Sequence, residues 1–164
     1  MYKNKKILAV VLARAGSKGI KNKNLKKING ISLVGRVGLF TKKIKYIDLS
    51  IVSTNSSKIG KEASKYKLDY FFKRPIILSG PKISDELVLK HALLESEKKT
   101  KIKFDIVISL PPTSPLRKVN DVIKSIKKLV DKKYDAVWTI SETDKKYHPY
   151  KALIIKKNNL NFFS

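Results

Sequence analysis

The sequence predicts an α/β domain with an open, mostly parallel sheet and helices on both faces. Three observations carry that expectation. Short apolar runs alternate with longer segments of helical periodicity, in the order βαβαβαβαβ. The first runs are continuously apolar, as in strands covered on both sides. The stretches that follow them are rich in glycine, proline, hydroxyl and basic residues, and so read as loops. In such sheets ligands bind outside the carboxyl ends of the strands. The 164 residues suffice for one domain. A chain of this length buries roughly 70% of the surface that it exposes when unfolded.

"KILAVVLA" (6–13) is the first buried strand. Its basic flank and apolar run mimic a signal peptide, but the run is broken at Arg14 and no cleavage pattern follows cleanly. "SLVGRVGLFTKKI" (32–44) reads as a helix weakened by Gly35 and Gly38. "LSIVST" (49–54) is a second strand, and "SSKIGKEASKYK" (56–67) a helix opening on serines suited to capping. "DYFF" (69–72) reads as a short strand and 73–84 as a loop marked by Pro75, Gly80 and Pro81. The clearest helix is 84–99. Ser84 can cap it, Asp85 and Glu86 sit in its first turn, and lysines close it, which suits the helix dipole. Leu87, Val88, His91 and Leu94 fall on one face of it. "FDIVISL" (104–110) is a strand, and "PPTSPLR" (111–117) must be a loop because it holds three prolines. "NDVIKSIKKLVDKK" (120–133) is a helix with Val122, Ile123, Ile126, Leu129 and Val130 inward. "YDAVWTIS" (134–141) and "KALIIKK" (151–157) read as later strands.

Composition narrows the function. Cysteine is absent, which excludes disulfides, thiolate zinc sites and a thiol nucleophile, and makes the cytoplasm the default compartment. No apolar run reaches the length of a membrane span. The net charge is +24, from 37 Lys+Arg against 13 Asp+Glu. Four of those cations are arginines, whereas base-reading proteins lean on arginine for its planar fork. The lysines are spread along the chain, and they read mostly as a background that lends non-specific attraction to polyanions.

Three loops follow strand ends, 14–24, 74–84 and 111–117. Each carries an arginine and hydroxyl groups, and in a parallel sheet all would meet at one edge. The first is the most informative. Gly16 and Gly19 permit close backbone approach or positive φ. Arg14 can hold a phosphate through two parallel hydrogen bonds, Ser17 can donate a hydroxyl, and Lys18 and Lys23 supply compact charge. Successive backbone N–H groups in such a loop can form an anion nest. The spacing fits neither G-x-x-x-x-G-K-[ST] nor G-x-G-x-x-G. A solvated basic turn is the alternative reading of the same residues.

This loop, "LARAGSKGIKNKN", resembles the N-terminal signature of the acylneuraminate cytidylyltransferases, the CMP–sialic acid synthetases. Its pattern, A-R-x-G-S-K-G-I-x-x-K-N, is matched by Ala13, Arg14, Gly16, Ser17, Lys18, Gly19, Ile20, Lys23 and Asn24. Three later stretches are similar to family segments in the family's order: "IVSTNSSKIGKEASKY", "KRPIILSGPKISDELVLKHAL" and "SLPPTSPLR". The resemblance spans residues 7–151. It implies a Rossmann-like fold of the nucleotide-diphospho-sugar transferase type. It also implies transfer of CMP from CTP to the anomeric hydroxyl of a sialic-acid-like nonulosonic acid, with release of pyrophosphate. By resemblance, Ala13 and Arg14 hold cytosine and phosphates, and Ser17, Lys18 and Lys23 line the triphosphate, with Arg14 and Lys23 the catalytic cations. Asn24 helps bind the nucleotide, and Arg74 and the surroundings of Asp85 meet the cytidine. Thr113, Ser114 and Lys151 lie near the acceptor sugar.

The resemblance further implies Mg2+, whose aspartate ligands would lie beyond Ser164, with none of its ligands within the chain. The expectation is therefore a single, incomplete cytidylyltransferase domain over residues 1–164, dimeric as a full-length relative. Departures from the pattern are Asn55 where aspartate is usual, Pro111 where glutamine is usual, and Asp85 where a small hydroxyl residue is common. The alternatives are a related enzyme with another acceptor such as Kdo, an inactive shortened relative, and a basic nucleic-acid-binding protein. The last lacks the interleaved aromatics of RNA-stacking motifs, so no specific nucleic acid and no membrane partner is expected.

Overall fold

The computed structural model describes residues 1–17 and 19–140, together with the backbone of 153–156 and 159–162. Its centre is a parallel sheet in the order β4-β1-β5, formed by β1 (Ile7–Leu12), β4 (Leu49–Ser53) and β5 (Ile106–Ser109). Leu8 pairs with Leu49 on one side of β1, and Ile7 with Ile106 on the other. Successive β1 side chains point to opposite faces, so a strand buried on both sides must be apolar throughout. Ile7, Ala9 and Val11 pack with Val34 and Val37 of α1 (Leu33–Thr41), Ile59 and Ala63 of α2 (Ser57–Lys65), and Val122 and Ile126 of α4 (Val119–Asp131). Leu8 and Val10 pack on the opposite face, with Ile51 and with Ala92 of α3 (Asp85–Thr100). Each such aliphatic side chain, once fully buried, contributes about 1.5–3 kcal/mol. The expected helix–sheet–helix layering is thus present.

Local chemistry explains the helix starts. Ser32 Oγ accepts from Gly35 N at 3.1 Å, and Ser56 Oγ accepts from Ile59 N at 3.4 Å. Ser84 differs from expectation, since its side chain makes no capping bond. The start of α3 relies instead on Asp85 and Glu86 in its first turn. Gly38, which weakens α1 as an isolated helix, is required in context. A Cβ there would overlap the Tyr66 carbonyl oxygen just beyond α2.

Four other readings need correction. The buried face of α3 is Val88, Ala92 and Ser96, whereas Leu87 and Leu94 are exposed and His91 is half-buried against the Phe72 ring. Residues 69–72 make one parallel bridge, Asp69 to Ile51, before the chain turns Phe71 and Phe72 towards the second core cluster. Residues 134–140 form no strand, and Trp138 and Ile140 are 85% and 92% exposed. Strand preference depends on packing against neighbours, and among the described residues no strand pairs with this stretch. Finally, β6 (Leu153–Lys156) pairs antiparallel with β7 (Asn159–Phe162) and does not extend the parallel sheet.

A small hairpin, β2 (Lys27–Ile28) with β3 (Ile31–Ser32), was not anticipated. The Asn29-Gly30 dipeptide between two isoleucines is its signal, and both turn residues take positive φ. Among the described residues no helix is long and apolar enough to cross a membrane.

Candidate functional site

Because β1, β4 and β5 are parallel, the segments after them leave the same edge of the sheet. The ladder runs one residue past β1. Ala13 N donates to Ser53 O at 3.0 Å, and the Ala13 side chain is fully buried in the core. Anything Ala13 offers a ligand is therefore backbone. The next two peptide groups are held from both sides. Asn24 Nδ2 donates to Arg14 O at 3.0 Å, and Ala15 N donates to Asn55 Oδ1 at 2.8 Å. Asn24 is buried within a short 3-10 turn, Lys23–Leu25, so its amide is committed to shaping the loop. Gly16 follows with φ +76°, a conformation that favours glycine. Gly19 does not use that freedom. Arg14, Ser17 and Lys23 are half-buried along this latched loop.

Arg74 reaches the same edge from the segment after α2. Its backbone N donates to Thr54 O at 2.8 Å, and its Nε to Ser53 Oγ at 3.0 Å. Its Nη2 also donates to the Ser53 carbonyl. The side chain is 4% exposed, yet no carboxylate lies within ion-pair distance of it among the described residues. Burial pushes the guanidinium down to about 10; Asp85 counters this in part, and Arg14 adds to it. At neutral pH Arg74 remains a cation. The structure thus places Arg14 and Asp85 each within electrostatic reach of Arg74. A buried cation matched only by neutral oxygens keeps most of its desolvation cost, which a bound anion relieves.

The proline-rich loop forms the third side. Thr113 and Ser114 are exposed, with their hydroxyls open to a ligand. Arg117 Nη2 donates to Pro111 O at 2.8 Å, and its guanidinium sits 5.5 Å from the Phe40 ring centre. Burial lowers its pKa. Pro111 therefore serves here through its carbonyl, and Arg117 ties the loop to α1. Lys18 and Lys151 lie outside the described residues. The edge also uses Ser53 and Asn55, which the sequence reading did not single out as site residues. Their signal was their place at and just past the end of the second strand. An amide oxygen at position 55 accepts the Ala15 bond and brings no negative charge towards the arginines.

No three His, Cys, Asp or Glu side chains converge on one point among the described residues. Asp85, the one carboxylate influencing Arg74, is a single oxygen donor group facing a cation. Mg2+ takes one or two carboxylates together with substrate phosphates in nearly octahedral geometry. The described residues on their own do not fit a protein-held magnesium site.

An α/β sheet with a latched loop and two arginines at its carboxyl edge has the Rossmann-like fold of nucleotide-sugar transferases. Residues 8–160 match the Cytidylyltransferase family, and the chain belongs to that family. It is 36% identical over 148 residues to the post-translational flagellin modification protein B of Campylobacter coli, covering 90% of this chain and 62% of that protein. It is also 36% identical over 109 residues to the CMP-N,N'-diacetyllegionaminic acid synthase of Campylobacter jejuni, covering 66% of this chain and 46% of the relative. Among solved structures, a CMP:2-keto-3-deoxy-manno-octonic acid synthetase complexed with CTP shares the fold, with a TM-score of 0.63 at 21% identity over 77% of this chain and 48% of that one. The chain thus spans about half to three-fifths of the length of these relatives.

Proposed function

We propose that residues 1–164 form a single domain, or the nucleotide-binding part of one, that transfers CMP from CTP to the anomeric hydroxyl of a sialic-acid-like nonulosonic acid. The hydroxyl oxygen bonds to the α-phosphorus, the bridging oxygen bond to the β-phosphate breaks, and pyrophosphate leaves. Charge grows on the phosphoryl oxygens and the leaving group, and fixed cations stabilise it. In this reading Arg14 and Lys23 meet the phosphates from the latched loop, Ser17 and Lys18 line the triphosphate, and Asn24 fixes the loop's shape. Arg74 and Asp85 flank the nucleotide, while Thr113, Ser114 and Lys151 face the acceptor. The reaction needs no protein nucleophile. The family resemblance implies that the reaction would use Mg2+. The protein would act in the cytoplasm, and a full-length relative would be a dimer.

The observation that carries the reading is the buried Arg74 cation, which no carboxylate among the described residues pairs with, at the carboxyl edge of the sheet in a chain of the Cytidylyltransferase family. The test is acceptor-dependent pyrophosphate release from CTP in the presence of Mg2+, using this chain and a longer one. The panel holds N-acetylneuraminic acid, N,N'-diacetyllegionaminic acid (named by the Campylobacter jejuni relative) and Kdo. Release with either of the first two supports the reading. Release with Kdo alone moves the acceptor, and no release by either folded chain ends the proposal.

A further inference from the structure

Some lysines that the nucleotide site leaves unused are gathered in one place. Lys58, Lys61 and Lys65 are three and four residues apart on α2 and share one side of that helix. Facing them are Lys21, in the loop after β1, and Lys26 and Lys27 at the start of the β2–β3 hairpin. Together they line an open basin of about 530 Å³ to which none of Arg14, Lys23 or Arg74 contributes. Small-molecule sites commonly span about 300–1,000 Å³.

A background of abundant lysine does not account for this basin. A second lysine-lined hollow on the same molecule, about 380 Å³, provides the comparison. There Lys98, Lys101 and Lys103 stand beside Glu97, whose carboxylate accepts from Lys103 Nζ at 2.6 Å and from Phe104 N at 3.1 Å. The first basin sets six ammonium groups against the single carboxylate of Glu62. That carboxylate is already engaged. Its bond with the Ser32 hydroxyl lowers its pKa first, and Lys65, 3.3 Å away, lowers it further. Six like charges on one concave wall repel one another, and a multivalent anion relieves that repulsion far better than a monovalent one.

We propose that this basin is a second anion site, distinct from the nucleotide edge, and that it binds a small multivalent phosphate. The shared chemistry is a polyphosphate chain, carried by a nucleoside triphosphate or present as free pyro- or tripolyphosphate. The inference does not depend on the cytidylyl-transfer reading.

The test titrates sodium tripolyphosphate, and separately CTP, into the 15N-labelled chain, followed by amide chemical shifts and calorimetry. In an Arg14→Ala background, which weakens the nucleotide edge, tripolyphosphate is expected to shift amides of residues 58–65 and to bind one per chain. The Lys58→Gln/Lys61→Gln/Lys65→Gln triple variant is expected to weaken this event at least tenfold, with unchanged circular dichroism. The Lys98→Gln/Lys101→Gln/Lys103→Gln variant removes the same net charge and is expected to change it less than twofold. Basin shifts with CTP as well identify a nucleotide as the occupant; shifts with tripolyphosphate alone identify a free polyphosphate. Equal weakening by both triple variants would show general attraction to a +24 chain and overturn the proposal. Undiminished binding by the Lys58, Lys61 and Lys65 variant would overturn it too.

Discussion

Replacing Arg74 by methionine separates a structural arginine from one kept for a ligand. Met fills much of the arginine stem's volume and carries no charge. Two effects then oppose each other in the ligand-free protein. The fall of Arg74 from the ordinary arginine range to about 10 corresponds to at most about 3 kcal/mol of cost in burying the cation. Removing the side chain relieves that cost. It also deletes the bonds from Nε and Nη2 to Ser53, leaving the Ser53 oxygens less satisfied, at about 1.5–3 kcal/mol for charged donors. The expected net change in unfolding free energy is within about 1 kcal/mol of zero. With CTP the balance changes, because a charged contact of about 1.5–3 kcal/mol is lost with nothing to offset it. CTP affinity should therefore fall roughly 10- to 100-fold. The assay is urea unfolding with and without CTP, paired with calorimetric titration of the same samples. Large destabilisation without ligand, with unchanged CTP affinity, would refute the reasoning and make Arg74 a purely structural tie.

Arg14→Ala and Lys23→Ala are each expected to lower kcat/KM about 10- to 100-fold in an active longer chain, measured by pyrophosphate release. Asn24→Ala removes the donor to Arg14 O and should raise KM for CTP about 3- to 10-fold, with a stability loss of about 1 kcal/mol seen in thermal melts. Gly38→Ala forces a methyl against the Tyr66 carbonyl and should cost about 2 kcal/mol, a fall in Tm of roughly 4–8 °C. Asp105 Oδ2 accepts from Lys6 N at 2.8 Å, and this bond, with help from Lys5, holds its pKa below the ordinary carboxylate value. Its contribution is therefore present above the unfolded pKa and lost as pH falls through the lower folded one. Asp105→Asn should thus be less stable than the parent at pH 7, with the gap closing below about pH 4.

Much of the fold was legible because the core strand is buried on both faces. The continuous apolar run of residues 7–12 admits few other readings, and the periodicity of α2 and α4 marks their inward residues. The α3 face was misread because Leu87 and Leu94 were assumed to point inward by hydropathy. The structure instead buries the small side chains of Ala92, packed with Leu8, Val10 and Ile51, and Ser96. Residues 134–140 looked like a strand because their side chains alternate, but a strand also needs a partner, which no local pattern encodes. At the candidate site, Arg14, Lys23 and Asn24 stand out in the sequence by their place after the first strand, and Arg74 by its place before a proline-marked loop. Asn55 was noticed only as a departure from a pattern, since its role rests on one bond to a peptide group 40 residues away. The six-lysine basin was hidden by the same abundance of lysine that makes the chain basic. Only the fold, which sets residues 21–27 opposite α2, separates its members from the rest.

The measurement that bears most directly on the central claim is a calorimetric titration of CTP into the folded chain and into Arg14→Ala, with ATP as the comparison nucleotide. The account predicts one CTP per chain at the latched edge, weaker binding of ATP, and a 10- to 100-fold loss with Arg14→Ala. A correctly folded chain that takes up no CTP, or that binds it equally well without Arg14, would contradict it.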